Sequence, residues 1–137
     1  MPAPIDVVQS IYAAFQRGDV DHIVSVLAED VAWESWSDNT AQVLGVPWLK
    51  GGVGRAAVAD FFRVLGQMTI HEVQVLDFLA SDRQVAVEFV IDVTAASGAR
   101  YRDEELHLWT LNAAGHVTRM RHYADTAKHI KAAGRSA

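Results

Sequence analysis

The chain has 137 residues, with 12 Lys and Arg against 17 Asp and Glu, a formal net charge of −5. At 50% hydrophobic and 21% charged residues it reads as one soluble globular domain over 1–137, long enough to bury a core without staples. The absence of cysteine excludes disulfides, a thiolate nucleophile and cysteine–zinc sites.

In chain order, Ile5, Val8, Ile11, Tyr12 and Phe15 recur at helical spacing and Gly18 supplies a stop. Asp19 then caps a short helix carrying Ile23, Val26 and Leu27. The run Val31–Trp36 is rich in β-formers and predicts a strand, whereas Ser37–Gly54 reads as irregular. Val58, Phe61, Phe62 and Leu65 mark one face of a third helix, which Gly66 ends. From there the apolar period shifts from about 3.6 to about 2. Thr69–Leu79, Gln84–Thr94, Arg100–Leu111 and His116–Ala124 predict four strands, separated by turn-forming Ser81-Asp82, Ser97-Gly98 and Asn112–Gly115. A short helix follows over Asp125–Ala132, with Asp125 placed to cap it. Helices first and antiparallel strands afterwards predict an α+β fold with helices on one face of a curved sheet.

The acidic balance, with no basic stripe, argues against nucleic acid as a partner. No apolar run approaches the roughly 18 residues of a membrane span, and MPAPIDVVQS lacks the regions of a signal peptide. A cytoplasmic location is therefore expected.

Strand parity sorts the side chains into two faces. Val85, Val87, Phe89, Ile91 and Val93 share one face, as do Tyr101, Asp103, Glu105, His107, Trp109 and Leu111. The opposite face carries Ala86, Val90, Leu106 and Leu108, too apolar to be left in water. A second copy of the chain is the simplest cover, which predicts a homodimer through the outer sheet face. Glu88, Arg119 and Arg121 belong to that outer parity and are expected to form cross-strand ion pairs.

Three segments together carry a family resemblance. VVQSIYAAFQRGDVDHIVSVLAEDVAWE resembles the helical start of SnoaL-like proteins of the nuclear transport factor 2-like superfamily. GVGRAAVADFFRVL resembles their third helix and ELHLWTLNAAGHVTRMRHYADTAK their last hairpin. The resemblance implies a cone, a strongly bent antiparallel sheet wrapped around N-terminal helices with an apolar pocket inside. It also implies pairing through the outer sheet face.

The superfamily hosts several chemistries, so function rests on residues rather than fold. Ketosteroid isomerases use a carboxylate base with a tyrosine and a protonated aspartate as oxyanion donors. Aligned with them, the base position falls on Ser35 and the tyrosine position on Ile11, with Tyr12 one residue away on another helical bearing. The aspartate position falls on His107, so the isomerase set is replaced throughout. Aligned with SnoaL-type polyketide cyclases, their strand histidine corresponds to His107 and their catalytic aspartate to His122. The arginine–aspartate arrangement of related epoxide hydrolases is not recognisable.

His107 and His122 are accordingly the expected catalytic pair, since imidazole both donates and accepts a proton near neutral pH. The competing reading is a pair of hydrogen-bonded histidines needed only for packing. Trp33, Ser35, Trp48, Phe61, Phe89, Glu105, Trp109 and Met120 are the expected ligand contacts, with Trp48 covering the mouth and Glu105 orienting one of the rings. Trp36 is expected in the core, and Asp38, Asp103 and Asp125 as loop, rim or cap residues. No metal or cofactor is expected. The histidines are scattered, and KGGVGR lacks the spacing and hydroxyl of a phosphate loop. The sequence thus predicts a binder of a small apolar or aromatic molecule with cofactor-free proton-transfer chemistry of the isomerase, cyclase or dehydratase type. The alternative is a noncatalytic ligand-binding or dimerisation module.

Overall fold

The computed structural model describes residues 2–36 and 38–136; Ser37, where the irregular stretch is expected to begin, lies outside them. Helix α1 (Pro4–Gln16) has proline in its first turn and Asp6 accepting the Ala3 N–H at 3.2 Å. Gly18, with φ +72°, turns the chain into α2 (Val20–Ser25), whose cap Asp19 accepts the His22 N–H at 3.1 Å. Strand β1 covers Leu27–Trp33 rather than Val31–Trp36. The stretch read as irregular contains α3 (Thr40–Val43), a 3₁₀ turn (Pro47–Leu49) and β2 (Gly52–Val53). These elements are too short for periodicity to reveal. Helix α4 (Arg55–Leu65) follows, then β3 (Thr69–Ala80), β4 (Gln84–Thr94), β5 (Arg100–Leu111), β6 (Val117–Tyr123) and α5 (Thr126–Ala132).

The six strands form one sheet in the order β2-β1-β6-β5-β4-β3. All neighbours are antiparallel except β1 and β6, which run parallel, so the sheet is mixed rather than wholly antiparallel. Register shifts interrupt β3 between Ile70 and Glu72 and between Val75 and Asp77. Such bulges sharpen local twist and let a long strand bend. The sheet curves around α1, α2 and α4, and the inward parity packs Val85, Val87, Trp109, Leu111 and Val117 against Val8, Ile11, Leu27 and Val58. Burial of each such side chain contributes about 1.5–3 kcal/mol. A second apolar cluster joins α3, the 3₁₀ turn and α5 through Ala41, Val46, Trp48, Leu49 and Ile130.

On the outer face, Glu88, Arg119 and Arg121 form no ion pairs among the described residues. Arg121 instead lies 5.2 Å from the Trp36 ring centroid and 5.4 Å from that of Tyr123. Trp36 therefore lies half-buried outside the core, because β1 has ended before it and alternation no longer sets its side. No helix among the described residues is long and apolar enough to cross a membrane.

Strand β2 seats α4 through a glycine. A Cβ on Gly52 would lie 2.6 Å from the Ala57 Cβ, far inside contact distance. Gly52→Ala is expected to cost about 1–3 kcal/mol of stability in denaturant unfolding. Adding Ala57→Gly should return part of it, less the roughly 1 kcal/mol a helical glycine costs.

Candidate functional site

The inward face of β5 presents Asp103, Glu105, His107 and Trp109 in sequence, and β6 sets Met120 and His122 beside them. His107 pairs directly with His122 and Trp109 with Met120 across the β5–β6 ladder. The two imidazole centroids are 4.4 Å apart, and Phe89 from β4 lies 4.4 Å from His107. With Trp33, Trp48, Phe61 and Tyr12 these residues, Asp103 excepted, line an apolar cavity of about 90 Å³ inside the cone.

Hydrogen-bond logic fixes the protonation of both rings. The Trp109 indole, a donor only, gives its N–H to the Tyr12 hydroxyl at 2.9 Å. Tyr12 has one proton of its own, and its hydroxyl lies 2.6 Å from His107 Nδ1. No other acceptor faces that hydroxyl among the described residues, so Tyr12 donates and Nδ1 accepts. His107 is then a neutral ring with its proton on Nε2. Burial first, and the neighbouring His122 second, hold His107 well below its ordinary pKa of 6.5. Burial keeps Tyr12 a phenol, far above its ordinary range, with Glu105 adding to the shift against the Trp109 hydrogen bond.

His122 is the opposite case. Its Nδ1 lies 2.9 and 3.0 Å from the two Glu34 carboxylate oxygens, and its Nε2 lies 2.7 Å from Glu105 Oε1. Carboxylates only accept, so both ring nitrogens donate and the ring is a cation. Burial alone would lower its pKa; Glu34 and Glu105 outweigh this and hold it well above 6.5. Burial likewise acts to raise Glu105, but His122 and then His129 draw it well below the usual carboxylate range. With both nitrogens engaged, His122 offers no donor to a ligand. That leaves His107 alone of the expected pair with a free N–H.

Glu34 is the residue that sequence reasoning misses. Alternation after the inward Trp33 would send it outward, yet it is 3% exposed and reaches His122. Its φ of +48° breaks the alternation, a conformation that costs a non-glycine residue about 1–3 kcal/mol. The strain is held by the Gln42 side chain on the Glu34 carbonyl at 2.7 Å and by the Ser35 N–H on the Met120 carbonyl at 3.0 Å. The same break carries Ser35 out of the cavity, contrary to the expected ligand contact. Asp38 is exposed.

A third histidine lies beyond Glu105. His129 of α5 is 1% exposed, and its Nε2 donates to Asp103 Oδ2 at 2.9 Å and lies 2.8 Å from Glu105 Oε2. Glu105 Oε2 accepts no aligned hydrogen bond among the described residues. The Trp48 indole donates to His129 Nδ1 at 2.8 Å, and Trp48 is a buried wall residue of the cavity. Asp103, expected at a rim, is 3% exposed, and Asp125 uses its backbone N–H on Asp103 instead of capping α5 with its side chain. Three consecutive inward polar residues on β5 were the available signal that a buried polar partner was needed. Nothing in the TAKHIKA pattern marks His129 as that partner, because it sits beside the buried Ile130.

Asp103, Glu105 and His129 bring ligand atoms within 4.8 Å of one another, as a metal site requires. A metal on Nε2 would require the imidazole proton on Nδ1, where the Trp48 N–H already points. The set fits a shared proton better than an ion.

The opposed imidazole shifts predict a stability dome. Below pH 6.5 the unfolded chain protonates His107 while the native ring stays neutral, so stability falls as pH drops. Above 6.5 the unfolded chain deprotonates His122 while the native ring keeps its proton, so stability falls as pH rises toward the native pKa. Glu105 adds a further loss below its ordinary 4.5, where only the unfolded carboxyl takes a proton. Thermal melts should peak near pH 6.5. His107→Gln should flatten the limb between 6.5 and 4.5, and His122→Gln the alkaline limb, at a cost of about 3–5 kcal/mol for uncompensated carboxylates.

Comparison with known proteins agrees with this architecture. The chain is similar to an NTF2-like protein of unknown function from Burkholderia pseudomallei, 26% identical, with TM-score 0.76 and coverage of 96% of this chain and 98% of that one. It is similar to TerC, co-crystallised with polyporic acid, at 25% identity, TM-score 0.72 and coverage of 96% and 98%. An NTF2-like protein from Burkholderia thailandensis shares the fold at 19% identity, TM-score 0.80 and coverage of 96% and 98%. No curated protein matches the chain. The SnoaL-like domain matches over residues 8–120, and the chain belongs to that family, with the NTF2-like fold.

Proposed function

We propose that the cone binds a small, neutral, apolar or aromatic carbonyl compound and performs cofactor-free proton transfer on it. One observation carries the reading: the cavity is lined by His107, whose Nε2–H has no partner among the described residues, and by the Glu105 carboxylate, whose Oε2 lies 2.8 Å from His129 Nε2 but accepts no aligned hydrogen bond among them. The two residues are next neighbours on the inward face of β5, about 7 Å apart along the strand. Glu105 removes a proton from the carbon next to the carbonyl. The C–H electron pair becomes the new C=C bond, and the displaced π pair settles on the oxygen, where His107 donates. Return of a proton to carbon completes the exchange or isomerisation. The co-crystal of TerC with polyporic acid supports ligand binding in this fold.

Access favours a wall that moves. A free volume of about 90 Å³ is below the roughly 150 Å³ that accepts benzene in an engineered cavity. A surface groove of about 650 Å³ adjoins it, and the two share Phe15, Ile23, Phe62, Leu65, Met68 and Val73. Rotation of Phe62 and Met68 would join them. The small volume and the low basicity of Glu105 favour a second reading, a binding module that has kept the cone without turnover.

Acetophenone and ethylbenzene separate the two. Fluorescence titration of the cavity tryptophans should show His107→Phe weakening the ketone about 3–10-fold with the hydrocarbon unchanged. Deuterium exchange of the acetophenone methyl group, catalysed by the wild type and lost in Glu105→Gln, supports the enzyme. Binding with exchange no faster than solvent leaves the module.

The outer face supports pairing of two copies. Leu79, Ala86 and Leu108 form one cross-strand apolar row, with Leu79 at 59% exposure, and Leu106 lies in the next. Sedimentation at micromolar concentration should show a homodimer, and Leu108→Glu should dissociate it, since an unpaired buried charge costs several kcal/mol.

A further inference from the structure

Behind the cavity, the polar side chains of three elements meet at His129. Its Nδ1 receives the Trp48 indole N–H from the 3₁₀ turn at 2.8 Å. Its Nε2 faces Asp103 Oδ2 and Glu105 Oε2 from β5 at 2.9 and 2.8 Å. Tyr101, also from β5, stands edge-on at 4.8 Å and stacks on Trp48 at 6.0 Å. Asp103 Oδ2 takes a second N–H from the Asp125 backbone at 3.1 Å. His122 is the remaining charge in the chain of contacts, on the far side of Glu105.

We propose that Trp48 is a positioning residue that holds His129 neutral, with its single proton on Nε2 between Asp103 and Glu105. The reason is directional. Indole N–H has no lone pair to offer, so the nitrogen it meets must carry one. Two carboxylates would otherwise favour a doubly protonated ring: burial acts to lower His129, but Asp103 and Glu105 outweigh it and draw the ring above its ordinary 6.5. A second proton would set the Nδ1–H against the Trp48 N–H inside a buried site.

The consequence falls on Glu105. It already faces one cation, His122. A second cation at Oε2 would make it a still weaker base. Trp48 therefore preserves basicity at the Glu105 carboxylate without touching the ligand's reacting carbon. The inference rests on the proton-transfer reading for its purpose, but its test reads the proton on His129 and so can fail separately.

Nitrogen-15 NMR of the intact protein supplies that test. In the wild type, His129 should show one pyridine-type and one pyrrole-type nitrogen throughout about pH 6 to 8, with the proton on Nε2. In Trp48→Phe, which keeps the stacking ring and loses the N–H, the pyridine-type signal should disappear as the ring takes its second proton. Acetophenone exchange should slow in the same variant. A wild-type His129 that is already a cation, or that carries its proton on Nδ1, overturns the proposal with no variant needed. So does a folded Trp48→Phe protein with the wild-type His129 spectrum. Should Trp48→Phe fold as predicted in the spectrum while neither protein exchanges acetophenone, the positioning stands and the catalytic reading falls.

Discussion

The buried cation on His122 is the constraint on which the rest of the interior depends. An imidazolium removed from water loses several kcal/mol of hydration, which only close, well-aligned anions restore. Glu34 and Glu105 provide them from opposite sides, at 2.9 and 2.7 Å. Meeting that need dictates otherwise unfavourable local structure: the left-handed backbone at Glu34, the Gln42 clamp on its carbonyl and the early end of β1. It also forbids a second positive charge on His107, 4.4 Å away.

The tryptophans settle the remaining protons. Trp109 directs Tyr12 toward His107, and Trp48 meets His129. Both indoles contribute apolar wall to the cavity as well as a fixed dipole behind it. Packing and protonation are thus set by the same side chains. A mutation that only adjusts volume at either position will also move a proton.

Much of this was legible in the residues. Strands Gln84–Thr94 and Arg100–Leu111 follow from period-two alternation to the residue, and their parity places Glu105, His107 and Trp109 on one face with Phe89. The placing of His107 beside His122 is what the family resemblance implies; the turn at Asn112–Gly115 alone would set His107 opposite Arg121, and a register shift between Thr110 and Leu111 brings His122 there instead. What was hidden depends on departures from periodicity. Glu34 and Ser35 lie where a positive φ ends the alternation, so one arrives at the site and the other leaves it. Trp36 falls on the outer face for the same reason. His129 enters from a helix of seven residues, too short for a moment to orient, and its partner Asp103 reads as a rim residue until that helix is in place.

Position 122 shows how far the cone can keep its shape while its chemistry moves. In the polyketide cyclases this chain resembles, the position corresponding to His122 holds a catalytic aspartate. Here an imidazole stands there, and reversing the sign of a buried group reverses what its surroundings must supply. Glu105 and Glu34 answer the new charge, and in doing so they occupy both nitrogens that a catalytic His122 would need. The acid–base work proposed for the site therefore belongs on β5, to His107 and Glu105, while β6 supplies the field. A neutral donor facing a cavity backed by a fixed cation suits an oxygen that gains negative charge only during reaction. A substrate already anionic would meet Glu105 on the same wall, so the arrangement discriminates by when charge appears rather than by how much.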